Sequence, residues 1–410
     1  MGPNTVMMEL IKIAIVFFIV LALTYKKISL WISLLVSTFL LGFLFHLPFK
    51  TILWDLLLSA TDRKTLLLIG ALVAILFFSN LLKGSGKMDQ ILEGFRHVFK
   101  DVRVVIAVLP AMIGLMPLLG GALVSAPMVV EGSNELKLSP GRRTFINYWF
   151  RHLWEYILPT YPALIIAATL VGIPVTQMGW INLPLSLIAI VSGILVGFWG
   201  VSKSMRIENP AITASGWRLF KNLLPLLFAL GLVVGFNIEL VYAFGLTIFG
   251  MIIFYRIHWP VIFREFKESL TMELLLTVVI VMGFKTVLES TQAIHKVLNI
   301  LLSSGIPIYL IAILIPLLIG LMTGLTTATI GISFPILIPL FQNDPNFLNY
   351  MMLTFASGIT GHLLSPFHLC LVLTNEYFGA DLKKVYRFMW MPAASILLVG
   401  FLKAVLLKTS

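Results

Sequence analysis

The run Asn147-Tyr-Trp-Phe-Arg-His-Leu-Trp-Glu-Tyr-Ile-Leu-Pro159 sets three ionisable side chains, Arg151, His152 and Glu155, inside an otherwise apolar stretch. Ionisable groups at membrane depth are rare because burying them is costly, and those that occur usually serve function. The planar guanidinium fork of Arg151 matches a carboxylate or phosphate. Glu155 and His152 are then the groups that accept a coupling proton. Arg151 and Glu155, four apart, would also share a helix face and neutralise each other, a purely structural reading. In the second half, Gly361-His-Leu-Leu-Ser-Pro-Phe-His-Leu-Cys370 places His362 and His368 on either side of Pro366, and histidine titrates near neutrality. Two histidines and a glutamate also make a metal donor set. No H-x-x-x-H or H-E-x-x-H spacing supports one, so no metal and no other cofactor is expected.

Two further segments carry polar groups where the chain breaks. The first, Leu119-Gly-Gly-Ala-Leu-Val-Ser-Ala-Pro127, offers the free amides of Gly120 and Gly121 and the Ser125 hydroxyl. Helix N-termini favour anions through aligned peptide dipoles. The second, Thr323 to Pro335, is richer in hydroxyls: Thr326, Thr327, Thr329 and Ser333, with Ser365 at the later Pro366 break. Hydroxyls suit a carboxylate or a desolvated sodium ion. The competing reading has them bonded back to their own helix. Glu131, Asn134, Asn343 and Asp344 read as solvated loop residues.

The elements that position these residues follow from composition. The 410-residue chain is 59% hydrophobic and 11% charged, outside the balance of a soluble domain. Apolar runs of about 20 residues, the length that crosses a bilayer, recur with short polar breaks. The net charge of +11 lies in loops, so it does not indicate nucleic acid. The first apolar run lacks a basic n-region and a cleavage site, and reads as a retained helix. The single cysteine, Cys370, excludes an intrachain disulfide. Helices are expected at 7–25, 28–46, 65–82, 143–172 with a break at Pro159 and Pro162, and 183–200. A broken hairpin at 102–130 and an amphipathic stretch at 88–100 lie between them. The second half repeats the order at 217–235, 238–255, 272–289, 292–303 (amphipathic), 307–340 (broken), 347–377 and 388–407.

Pro110, Gly114, Leu115 and Met116 recur as Pro316, Gly320, Leu321 and Met322 at one constant offset, and Phe78 and Leu82 as Phe284 and Leu288 at the same offset. After short slips, Ser125 and Pro127 match Ser333 and Pro335, and Thr144, Phe145, His152 and Leu153 match Thr354, Phe355, His362 and Leu363. If each broken segment re-enters without crossing, each half has five crossings and the halves point opposite ways. Loop charge follows that ten-crossing scheme. Lys26, Lys83, Arg96, Arg142, Arg206, Arg256 and Lys383 fall on the basic side, with fewer, such as Lys50, Arg63, Lys285 and Lys403, opposite. The basic side is cytoplasmic and both termini lie outside. The expected fold is an all-α polytopic membrane protein with about ten transmembrane helices and two re-entrant hairpins, in two inverted repeats. Residues 1–200 form the first (scaffold 7–46, transport part 65–200) and 201–410 the second (scaffold 217–255, transport part 272–410).

Two hairpins of opposite entry, each followed by a broken helix, resemble the ion transporter superfamily of divalent-anion/sodium symporters, gluconate, citrate and lactate permeases and sodium/proton antiporters. Gly114 to Pro127, Arg151 to Tyr156 and Gly361 to Pro366 look like an uncharacterised prokaryotic integral-membrane branch. The resemblance implies a homodimer in the inner membrane, an elevator-like transport domain, and hairpin tips with Ser125 and Thr326 to Thr329 at the substrate and ion loops. The Ser-Asn-Thr signatures of the dicarboxylate branch are missing, so dicarboxylate specificity and sodium coupling do not carry over.

The sequence thus points to a secondary transporter of a small organic anion, driven by protons in preference to sodium. A cation/proton antiporter built on Glu155 and the histidines is the alternative. A lipid flippase would need a lipid-wide groove; an enzyme would need a catalytic constellation, and no G-x-S-x-G, Walker A or intramembrane Asp pair is present.

Overall fold

The computed structural model describes residues 3–26, 28–99, 101–115, 121–203, 212–291 and 307–406. They fold as helices joined by short turns. Five helices among them are long and apolar enough to cross a membrane, and a bent pair, Trp259–Ser269 with Met272–Ser290, makes a sixth candidate. The chain is a multi-pass membrane protein. Most other apolar helices run 10 to 16 residues. Twelve residues rise only about 18 Å, short of the roughly 30 Å hydrocarbon core. Such pieces reach across only when two are laid end to end, which puts their ends at mid-depth.

Several occur in pairs, as hairpins or as broken helices. Val102–Ile113 and Gly121–Glu135 pack side by side as one hairpin, and Ile308–Thr323 with Thr326–Phe341 as another. Pro140–Arg151 and Pro162–Val171 form one broken helix, Phe347–Leu364 and Leu369–Phe378 the other. The two halves interlock through them: Gly121–Glu135 packs on Leu369–Phe378, and Thr326–Phe341 on Pro162–Val171. The expected amphipathic stretch at 292–303 lies outside the described residues; its first-half partner is the helix Lys87–Val98.

Three expectations need correction. A further helix precedes each of those expected at 65–82 and 272–289: Phe49–Thr61 and Trp259–Ser269 are both helical. Each turns Phe49, Trp54 and Leu57, or Trp259, Phe263 and Phe266, outward, while Asp55 and Ser59, or Glu265 and Ser269, are buried. Apolar outside with polar inside is the pattern of a helix lying against lipid, and it hides from any rule that buries the apolar face. Glu131 and Asn134 lie within the helix Gly121–Glu135, exposed but not in a loop; Asn134 Oδ1 accepts from Arg143 at 2.7 Å. The break in the 140–171 helix begins at His152, well before Pro159.

Close packing of the hairpins depends on glycine. A Cβ at Gly320 would lie 2.5 Å from the Gly358 carbonyl oxygen and 2.6 Å from the His362 nitrogen, and one at Gly114 would strike the Arg151 carbonyl. Gly114 and Gly320 are the same position of P-x-x-x-G-L-M, and each abuts the broken helix of its own half.

Candidate functional site

The helix Pro140–Arg151 stops at His152, residues 152–161 run as successive turns, and Pro159 and Pro162 keep the helix from resuming before Pro162. Peptide groups freed inside a membrane must find partners in the protein. The helix Val175–Phe198 supplies them: Asn182 Nδ2 donates to the Tyr156 carbonyl at 3.1 Å, and the Ser186 hydroxyl to the Leu153 carbonyl. Trp154 Nε1 donates to Ala111 at 2.8 Å, tying the break to the first hairpin. At the second break Ser365 donates to the Leu321 carbonyl at 2.7 Å and Tyr386 to that of Leu364 at 2.8 Å.

An early break changes the relation of Arg151 to Glu155. The helical face that the spacing implied does not exist, because Arg151 is the last helical residue and Glu155 sits in a turn. Glu155 approaches His152, Oε1 to Nε2 at 3.9 Å. His362, at the end of Phe347–Leu364, and His368, just past the second break, join them. Ring centroids are 6.3 Å apart for His152 and His362, 4.9 Å for His152 and His368, and 3.8 Å for His362 and His368. The five ionisable residues are between 2% and 6% exposed. His152 Nδ1 lies 2.6 Å from the Tyr148 carbonyl, so it carries the proton and leaves Nε2 as the bare nitrogen. His368 Nδ1 is 2.9 Å from the Tyr148 hydroxyl. Glu155 Oε2 and His362 Nδ1 are buried without a hydrogen-bond partner.

The Arg151 side chain reaches the first hairpin. A Cβ at Gly121 would lie 2.6 Å from Arg151 Nη2 and 2.9 Å from Nε, so only glycine lets the guanidinium rest against the first turn of Gly121–Glu135. Gly120 lies outside the described residues. In the second hairpin Gly324 takes φ +62° against the backbone of Phe367 and His368, where any side chain would clash. The hydroxyls largely follow the structural reading. Ser333 donates to Thr329 at 2.6 Å and Ser125 to Ala122 at 3.3 Å within their own helices, and Thr329 donates to Leu325, the residue capping its helix, at 2.8 Å. Thr326 and Thr327 are half-buried at the start of their helix.

Sequence reasoning missed Tyr148, one turn before His152, and Asn147, whose Nδ2 donates to the Ala122 carbonyl at 2.9 Å. The one available signal was their place on the turn preceding Arg151 and His152.

No curated protein matches the chain in sequence. Among solved structures it is similar to the YdaH transporter of Alcanivorax borkumensis, whose crystal structure is described as revealing an unusual topology. The TM-score is 0.59 at 13% identity, over 88% of this chain and 89% of that one. At that identity the likeness concerns the fold. A family profile described as "Protein of unknown function (DUF401)" matches residues 5–407, nearly the whole length, and the chain belongs to that family.

Proposed function

We propose that this chain is a secondary active transporter of a small organic anion, carried by an elevator-type movement of the hairpins and broken helices. One observation supports this above the others: the Arg151 guanidinium lies against the first turn of Gly121–Glu135. A cation and a helix N-terminus both attract negative charge, and placing them together favours an anion between them. The fold likeness to a protein named as a transporter is in keeping with this reading. Loop charge, the recurring motifs and the exchanged packing of hairpins and broken helices support two halves of opposite orientation. A homodimer in the inner membrane with both termini outside is the arrangement we assign.

Protons are the proposed driving ion, because the hairpin tips lack the Ser-Asn-Thr loops that the resemblance associates with sodium. Reconstituted in liposomes, the protein is expected to accumulate a carboxylate under an inward proton gradient without sodium. Uptake that requires sodium and ignores the proton gradient would reject this part. Arg151→Gln is expected to abolish uptake. Sodium/proton exchange retained by that variant, with no carboxylate uptake by wild type, would favour the antiporter.

A further inference from the structure

The residue spacing argues against a metal, yet the fold gathers donors that the sequence keeps apart. His152 and Glu155 lie in the first break and His362 at the second, more than 200 positions away. One donor atom from each of the three lies within 4.8 Å of the other two, all buried. We propose that His152, Glu155 and His362 bind a divalent transition-metal ion of the zinc class.

Three features carry the proposal besides proximity. First, His152 Nδ1 donates to the Tyr148 carbonyl. Metal-ligating histidines almost always donate their other ring N–H to such an acceptor, which fixes the ring and turns the bare nitrogen to the metal. Second, His362 Nδ1 and Glu155 Oε2 are buried without a hydrogen-bond partner. Buried polar atoms without partners are uncommon and costly, and a cation satisfies both. Third, the donor chemistry fits: two imidazoles and one carboxylate suit zinc, and three protein ligands leave a fourth position open.

Bonds of about 2.0–2.2 Å require the donors to close inward from their present spacing. Glu155, in a turn instead of a helix, has the freedom to do so. Its carboxylate also offsets part of the ion's charge beside Arg151, whose guanidinium is directed to Gly121. A second trio, His152, His368 and Cys370, lies equally close. The first is favoured because all three of its residues are buried and two of them hold unpartnered donor atoms, whereas Cys370 is only partly buried.

The test is independent of what the protein carries. Untagged, full-length protein in detergent is titrated with Co²⁺ and followed by visible absorption and calorimetry. One Co²⁺ per chain, with the intense d–d bands of a four-coordinate site and displacement by Zn²⁺, is expected. Glu155→Gln and His362→Gln are expected to weaken binding by roughly tenfold or more, while Cys370→Ser binds as wild type. No saturable Co²⁺ site in monodisperse wild type would overturn the proposal, whatever the variants do. Wild-type affinity in both Glu155→Gln and His362→Gln would overturn it too, as would loss only in Cys370→Ser with a thiolate charge-transfer band.

Discussion

The Ser59 and Thr286 hydroxyls share a 2.7 Å hydrogen bond, and the contact is mirrored by Asn80 Nδ2 donating to Ser269 Oγ at 3.0 Å. Ser269 stands 210 positions after Ser59, and Thr286 stands 206 after Asn80, the offsets at which His362 follows His152 and Gly320 follows Gly114. Each lipid-facing helix therefore packs on the long helix of the other half: Phe49–Thr61 on Met272–Ser290, and Trp259–Ser269 on Arg63–Gly84. Both serines also bond back one turn, to the carbonyls of Asp55 and Glu265. The halves are held by the same contact made twice.

A double-mutant cycle on these pairs follows directly. Ser59→Ala with Thr286→Val, and Asn80→Ala with Ser269→Ala, are each expected to show a coupling of about 0.5–1.5 kcal/mol, the net worth of one hydrogen bond. Denaturant unfolding in detergent measures it. Strict additivity in both cycles would mean that the halves do not meet there.

Glycine contacts make a steric prediction. Gly320→Val must push the Gly358 carbonyl and the His362 amide away and is expected to cost about 1–3 kcal/mol, seen as a lower thermal midpoint. Gly231→Ala has nothing within 4 Å of its new Cβ and is expected to raise the midpoint or leave it unchanged, since alanine is the better helix former.

The break at 152–161 depends on donors from a neighbouring helix. Asn182→Leu leaves the Tyr156 carbonyl unpaired in an apolar surround and is expected to cost about 1–3 kcal/mol. Combined with Ser186→Ala, which removes the donor to Leu153, it is expected to increase hydrogen exchange across 152–161 more than at the second break.

At the base of the first hairpin Asp101 caps Val102–Ile113 and holds Arg103, Nη2 to Oδ2 at 2.9 Å, while Arg103 also reaches the Val201 carbonyl at 3.3 Å. The Arg103 hydrogen bond holds the Asp101 carboxyl below its ordinary value. The stabilisation is thus complete above the unfolded carboxylate value, near pH 4, and is lost as pH falls through the lower folded value. The site is partly exposed, so the effect is under about 1 kcal/mol. Asp101→Asn is expected to lower the thermal midpoint at neutral pH, with the difference from wild type shrinking in acid.

The hairpins and the second break were legible because Pro110, Gly114, Pro127, Pro316 and Pro366 interrupt apolar runs that are otherwise continuous. His152 and His362 were legible as partners because their flanking residues recur. Phe49–Thr61 and Trp259–Ser269 were not, since they bury Asp55 and Glu265 and expose tryptophan, the reverse of a soluble amphipathic helix. The early end of Pro140–Arg151 was hidden as well. Nothing at His152 is a helix breaker; the turn there is held by Asn182 and Ser186, donors some 30 positions further on. Local spacing therefore gave Arg151 and Glu155 a common helical face that the early break removes, and concealed the donor set that tertiary packing assembles.

The anion seat at Arg151 and Gly121 is tested most directly by ligand-induced stabilisation. Purified wild type is heated with a panel of carboxylates and phosphates, and the unfolding midpoint is read for each. A ligand at a hundredfold excess over Kd adds about 2.7 kcal/mol. The account predicts a raised midpoint with at least one carboxylate, lost in Arg151→Gln and in Gly121→Val, whose side chain displaces the guanidinium. A carboxylate that stabilises Arg151→Gln as strongly as wild type would contradict it.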